Sequence, residues 1–360
     1  MQTEDPVTPS HLSMAATPST TVDRALRVAA TSGKAGRISA LDFTKGMLVL
    51  IMVLYHWINY FYPHDNRYLR FLTPSFIFIT GFLISNIYLS KYGASDPRLP
   101  WRLVQRGLKL LAVFILLNLT RSLLMGVSLL QQVSKGDLLD IYVVGNGVGG
   151  GQAKAIAFSI LVPISYLLIL SAPLIVASRF FRYTFHVACL CCLLGVAVLS
   201  YEWIESPNLE LIAIGLMGVV AGYLPIEKID ALVRHPFLLG VAYVLYLAAV
   251  SVWNVLYPIQ IFGVFLSLMI IYRLGQHSGE PSRARVRVVL LGKYSLVGYI
   301  AQIAILQLLR IGLRHVSSEA VVLAVSFVLA FSLTIISVEV LDFTRARSGA
   351  VDKLYRLVFA

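Results

Sequence analysis

Long apolar runs, separated by short polar breaks, recur along this chain from about residue 41 to residue 342. They fall at roughly 41–61, 71–90, 104–126, 154–178, 183–200, 209–226, 236–253, 257–273, 288–310 and 319–342. Most approach the ~20 residues that a helix needs to cross a hydrocarbon core. The pattern predicts an all-α fold, a polytopic membrane bundle of about ten transmembrane helices. Residues 1–36 carry no such period. Their Thr, Ser, Ala and Pro content (Thr3, Pro6, Thr8, Pro9, Ser10, Thr17 and Pro18) predicts a disordered tail, with one membrane domain over 37–360. No apolar region follows Met1, so no cleavable signal peptide is expected.

Composition agrees with this reading. The chain is 58% hydrophobic and 13% charged, whereas a soluble domain is about 45–50% apolar and about 25% charged. Its formal charge of +12 comes with no basic stripe interleaved with aromatics, so nucleic acid is not an expected partner. Membrane lipid is. With the amino end inside, a ten-span arrangement leaves only Arg67, Arg70, Arg121, Lys135, Lys154, Arg310 and Arg314 of the 30 Lys and Arg outside. The positive-inside rule then places both termini in the cytoplasm. The three cysteines, Cys189, Cys191 and Cys192, share one apolar run and show no metal-ligand spacing. No metal site is expected. Gly145, Gly147 and Gly150 make a formal G-x-G-x-x-G, but it lies between spans with no βαβ context, so it reads as a surface loop.

Ionisable groups within spans are costly and therefore informative. The first span runs from Asp42 and Lys45 to His56, Asn59 and Tyr60. Lys45 and His56 are separated by about three helical turns, so they share a face and lie about 16 Å apart along the axis. One face thus carries a cation at its mouth and an imidazole deep inside. The competing reading is an ordinary i,i+3 ion pair, with His56 in an aromatic belt beside Trp57. Thr80 and Gly81 in the second span fit helix–helix contact as well as a pocket. Arg98, Arg102 and Arg106 fit either a phosphorylated carrier such as acyl-CoA or a positive-inside anchor. Ser295, Tyr299 and Gln302 recur at helical spacing behind Tyr294 and make one face of the ninth span polar.

These residues also carry a resemblance. Arg37…Leu41-Asp42-Phe43-Thr44-Lys45-Gly46…His56, then Phe76 to Ile84, then Leu291 to Gln302, occur in the order found in the acyltransferase family 3 superfamily, including its periplasmic glucan succinyltransferase-like branch. Lys45 stands where that pattern has Arg, Thr80 where it has Ser, and Gln302 where it has His. The resemblance implies a membrane O-acyltransferase of the bacterial inner membrane. It would move an acetyl or succinyl group from cytosolic acyl-CoA, a co-substrate and not a resident cofactor, to a hydroxyl of an extracytoplasmic glycan. It implies His56, Lys45 and Asp42 as the catalytic set and Arg98, Arg102 and Arg106 as donor-binding. Asn59, Tyr60, Thr80, Tyr294, Ser295, Tyr299 and Gln302 would line the pocket. A lipid or small-molecule acceptor, a transporter of glycan or acyl substrates, and a non-catalytic sensor are the alternatives.

Overall fold

The structure is a computed structural model, and it describes residues 35–62, 67–125, 140–145, 158–253, 256–276 and 282–359. Thirteen helices in chain order account for most of them. They are α1 (Ala35–Phe61), α2 (Leu72–Leu83), α3 (Arg98–Met125), α4 (Leu161–Ser178), α5 (Thr184–Tyr201), α6 (Pro207–Ala221) and α7 (Ile226–Leu232). The others are α8 (Pro236–Trp253), α9 (Tyr257–Gly275), α10 (Arg283–Lys293), α11 (Ser295–Gly312), α12 (Glu319–Arg347) and α13 (Gly349–Phe359). A π-helical stretch, Ile84–Leu89, extends α2. No strand occurs among the described residues.

Nine helices among the described residues are long and apolar enough to cross a membrane. A tenth crossing exists if α6 and α7, bent by 107° at their junction, count as one broken span. The apolar run at 209–226 is thus a 15-residue helix followed by a sharp turn. Two further boundaries differ from the sequence expectation. The run at 288–310 is divided at Tyr294, whose φ of −112° and ψ of 31° leave the helical region, so the span proper begins at Ser295. The first helix already starts at Ala35, inside the expected tail, while residues 1–34 lie outside the described residues. So do Gly147 and Gly150. Gly145 has φ 93° and abuts Asn208, whose amide donates to the Ile141 and Tyr142 carbonyls, so it makes a tight turn.

Contacts between helix ends define two rims. On one, Tyr68 meets Ser251, Gln260 bonds the Arg70 carbonyl, and Tyr257 bonds the Glu210 carbonyl. On the other, Arg179 bonds the Ala94 carbonyl, Asn86 bonds the Gly222 carbonyl, and Arg285 bonds the Gly275 carbonyl. The chain alternates between these rims through α6, and α1 begins on the same rim as α13. We call these the His56 rim and the Lys45 rim.

Lipid is as apolar as a leucine side chain, so helices in a membrane associate through close packing and not through hydrophobic burial. This bundle does so at glycines. On the α1–α10 crossing, a methyl added at Gly46 would sit inside the Val288 carbonyl, and one at Gly292 inside the Asp42 carbonyl. On the α2–α6 crossing, Gly81 meets the Gly215 carbonyl and Gly218 meets the Phe78 carbonyl in the same way. These two crossings fix α1 and α2, which carry the polar groups read from the sequence. By contrast, α5 and α8 expose most of their apolar surface, including Leu190, Leu194, Phe237 and Val244, and face the hydrocarbon.

Candidate active site

A cavity of about 200 Å³ opens among α1, α2 with its π-helical extension, α3, α4, the end of α10, α11 and α13. Its walls are mostly apolar and include Phe76, Ile79, Leu83, Leu110, Ile164 and Leu296. Cations and phenols gather with these walls: Lys45, Arg106, Lys293, Tyr88 and Tyr294 also line it. Thr80, Ser295 and Tyr299 complete the set of sequence-derived residues that the fold brings to this cavity. Ser295 and Tyr299 are i,i+4 on α11 and so share a face.

The charges have defined partners. Lys45 Nζ lies 2.5 Å from Asp42 Oδ1, and both side chains are about four-fifths buried. Arg106 donates to the Tyr88 hydroxyl, with its guanidinium 5.8 Å from that ring's centre. The π-helical stretch carries Ile84 and Tyr88 toward the cavity, and its extra turn is held where Ser85 Oγ donates to the Val219 carbonyl at 2.6 Å. Arg102 does not join Arg106. It is exposed and stacks on Tyr92, 4.9 Å from the ring centre. Tyr88 and Tyr92 are themselves one helical turn apart, so each captures one of the two arginines. Arg98 is exposed at the start of α3, away from the cavity lining.

His56 stands behind Tyr299. The two ring centres are 6.3 Å apart, and Tyr55 meets His56 edge-on at 5.2 Å. On its other side Tyr299 packs against Phe158, with ring centres 6.2 Å apart. Phe158 is buried with φ 64°, a left-handed conformation that a bulky side chain adopts only under strain. Tyr299, backed by Phe158, therefore forms one wall of the cavity. A second cavity, of about 400 Å³, opens on the His56 rim and is lined by Tyr55, Asn59, Arg70, Thr73, Glu210 and Gln260, among others. His56 thus has Tyr299 of one cavity on one side and Tyr55 of the other on the next. Tyr60 lies further out, under Arg310 and bonded by Gln307. Gln302 is fully buried one turn beyond Tyr299.

Sequence reasoning missed the floor of the first cavity. Tyr355 and Phe359 of α13 line it beside Lys293. Asp342 accepts from the Tyr294 hydroxyl at 2.6 Å and from Lys293 at 3.1 Å. Arg345 donates to the same Tyr294 hydroxyl at 3.0 Å, pairs with Asp352 and stacks on Tyr355 at 3.8 Å. The i,i+4 spacings Asp352–Arg356 and Tyr355–Phe359 were the signal that could have found an amphipathic closing helix. The hydrogen bond from Arg345 holds the Asp352 carboxyl below its ordinary range, whereas burial pushes the Tyr355 phenol up. A carboxyl lowered in the folded state stabilises that state above the unfolded aspartate value, near 4, and loses its contribution as pH falls through the folded value. Asp352→Asn is therefore expected to speed hydrogen exchange across residues 349–359 at pH 7. The difference from wild type should shrink on acidification.

Together these features define a class: a multi-pass helical membrane protein built around an internal site with a cationic mouth and an imidazole behind its inner wall. The chain belongs to acyltransferase family 3, since residues 38–339 match that family's model, described as an acyltransferase domain. No curated protein and no solved structure matches it. The protein is a membrane acyltransferase.

Proposed function

We propose that this protein moves a short acyl group, acetyl or succinyl, from cytosolic acyl-CoA to a hydroxyl of an extracytoplasmic glycan. The observation that carries the reading is the pair of cavities with His56 between them. The first suits a thioester donor. Its apolar walls accept an acyl chain, and Lys45, Arg106 and Lys293 offer charge to phosphates. Its ~200 Å³ favours a small acyl group. The second is polar, with Arg70, Glu210, Asn59 and Gln260 arranged around Tyr55, which suits a polyhydroxylated acceptor better than a lipid. The excess of Lys and Arg on the Lys45 rim supports that rim as cytoplasmic, both termini included, in a bacterial inner membrane.

In this reading His56 takes the proton from the acceptor hydroxyl, because an imidazole titrates close to neutral pH. Lys45 holds the donor's arm or phosphates at the mouth of the cavity, and Asp42 fixes Lys45 through the 2.5 Å ion pair. Arg106 binds a donor phosphate, exchanging its Tyr88 partner for it. Arg98 and Arg102, on the surface outside the cavity, attract the nucleotide end. The stack of His56, Tyr299 and Phe158 places an imidazole between two separate cavities, which favours a transferase over a transporter.

The test is thiol release from acetyl-CoA or succinyl-CoA by the purified full chain in nanodiscs, with and without a soluble glycan fraction. Acceptor-dependent thiol release is expected, and no consumption of either thioester would contradict the reading. In the same assay Arg106→Ala is expected to raise KM for acyl-CoA about 10- to 100-fold, the worth of one charge-assisted hydrogen bond. Its effect on kcat should be smaller.

A further inference from the structure

Gln302 is buried in the middle of α11. Its side chain is 0% exposed, yet neither its Nε2 nor its Oε1 has a hydrogen-bond partner. Among the described residues it is the one side chain with two polar atoms that are both buried and unmet. A buried amide left unsatisfied is strongly unfavourable, and where native proteins keep one it meets a water, a ligand or a reacting group.

Its position says what would use it. Helices α1 and α11 climb together from the Lys45 rim to the His56 rim. Gly298 meets Val49, Leu306 packs with Val53, and Gln307 bonds Tyr60. Gln302 lies between Gly298 and Leu306, so it stands in the layer of α1 that leads up to His56. It also follows Ser295 and Tyr299 on one stripe of α11, within an arc of about 60° at 100° per residue. Ser295 and Tyr299 line the donor cavity, and Tyr299 touches His56. The next polar group along that stripe is this carboxamide.

We infer that Gln302 is a catalytic residue that donates from Nε2 to the carbonyl oxygen of the acyl group, in the layer next to His56. The inference rests on the acyl-transfer reading given above. In the step it serves, the acceptor oxygen attacks the thioester carbon while His56 takes the hydroxyl proton. The carbonyl π pair moves onto oxygen, where the Gln302 N–H holds the negative charge. Collapse reforms the carbonyl, breaks the carbon–sulfur bond and expels the thiolate, which takes the proton back from His56. The products are the ester and free coenzyme A thiol. Oε1, the unmet acceptor, receives a second hydroxyl of the acceptor sugar. Preorganised donors in a site closed to water act most strongly where charge develops in the transition state.

The test compares wild type with Gln302→Leu, Gln302→Asn and Gln302→Glu as full chains in nanodiscs, with acetyl-CoA or succinyl-CoA as probe. Gln302→Leu should lower kcat about 100- to 1,000-fold. KM for the thioester and the pH profile should stay near those of wild type. Its thermal midpoint should stay the same or rise, because an unsatisfied polar group has been removed from the interior. A structural glutamine would show the reverse, a lower midpoint with kcat retained in the folded fraction, and that result overturns the inference. Gln302→Asn, which keeps the amide on a shorter arm, should recover part of kcat, while Gln302→Glu should not. Equal kcat in all three variants also overturns it. If wild type itself consumes neither thioester, the acyl-CoA reading fails and this inference falls with it. If wild type is active and Gln302→Leu matches it, only the role of Gln302 fails.

Discussion

His56→Ala is expected to lower acyl transfer by about 100- to 10,000-fold, the usual worth of a positioned general base. The protein should remain folded. His56 is half-buried in a layer of aromatic rings, with Tyr55 and Tyr299 against it, and α1 is held elsewhere by Val49, Met52 and Val53, all fully buried. Removal of the imidazole therefore leaves the main packing of the helix intact. The loss should fall on kcat, while KM for acyl-CoA stays close to that of wild type, because Lys45, at the donor end of the site, sits about three turns away along α1. The measurement is steady-state kinetics of thiol release across pH 5.5–8.5. The pH–rate profiles of wild type and variant should differ, because only wild type passes the hydroxyl proton to an imidazole. A lowered thermal midpoint with unchanged kcat in the folded fraction would instead make His56 a packing residue.

The second large effect is expected from Gly292→Val. A Cβ at this position coincides with the Asp42 carbonyl, and the Gly46 amide lies 3.0 Å or less from the same point. Backbone cannot swing aside as the tip of a side chain can, so α10 must back away from α1. Overpacking of a tight contact costs about 1–3 kcal/mol and more where backbone has to move. A fall in thermal midpoint and a large loss of folded protein are expected. The surviving molecules should also bind donor poorly, because Asp42 and Lys45 ride on the displaced turn. Valine at Gly240, on lipid-facing α8 with nothing near its Cβ position, is the matched control and should change little. Equal behaviour of the two variants in a detergent melting series would show that the α1–α10 crossing is not the anchor described above.

How much of this was legible in the chain depends on the range of each contact. The pairing of Lys45 with His56 on one face needed only the helical repeat, and Lys45–Asp42 needed only an i,i+3 spacing. The same periodicity brought Ser295 and Tyr299 to one cavity. The arginines of α3 went partly astray for a physical reason. Arg102 and Arg106 share a face, but Tyr92 and Tyr88 on the neighbouring helix each take one, and only Tyr88 lies at the cavity. That sorting depends on the π-helical turn at Ile84–Leu89, which no local sequence pattern announces. Phe158, Asp342 and Arg345 come from parts of the chain far from α1, so tertiary packing alone sets them in place. The break at Tyr294 falls at Gly292-Lys293-Tyr294-Ser295, a short polar interruption that a hydropathy window averages away. The 107° bend between α6 and α7 is equally invisible to hydropathy, which shows one apolar run over 209–226.

The account stands on one claim: acyl groups leave a donor at the Lys45 cavity and reach an extracytoplasmic hydroxyl through His56. The most direct measurement is mass spectrometry of alkali-labile acyl esters on surface and periplasmic glycans. Three strains are compared: a deletion, the deletion complemented with wild type, and the deletion complemented with His56→Ala at matched expression. The account predicts that one ester disappears on deletion, returns with wild type and stays absent with His56→Ala, its mass naming the acyl group. Glycan esters that are identical in all three strains, or an ester fully restored by His56→Ala, would contradict it.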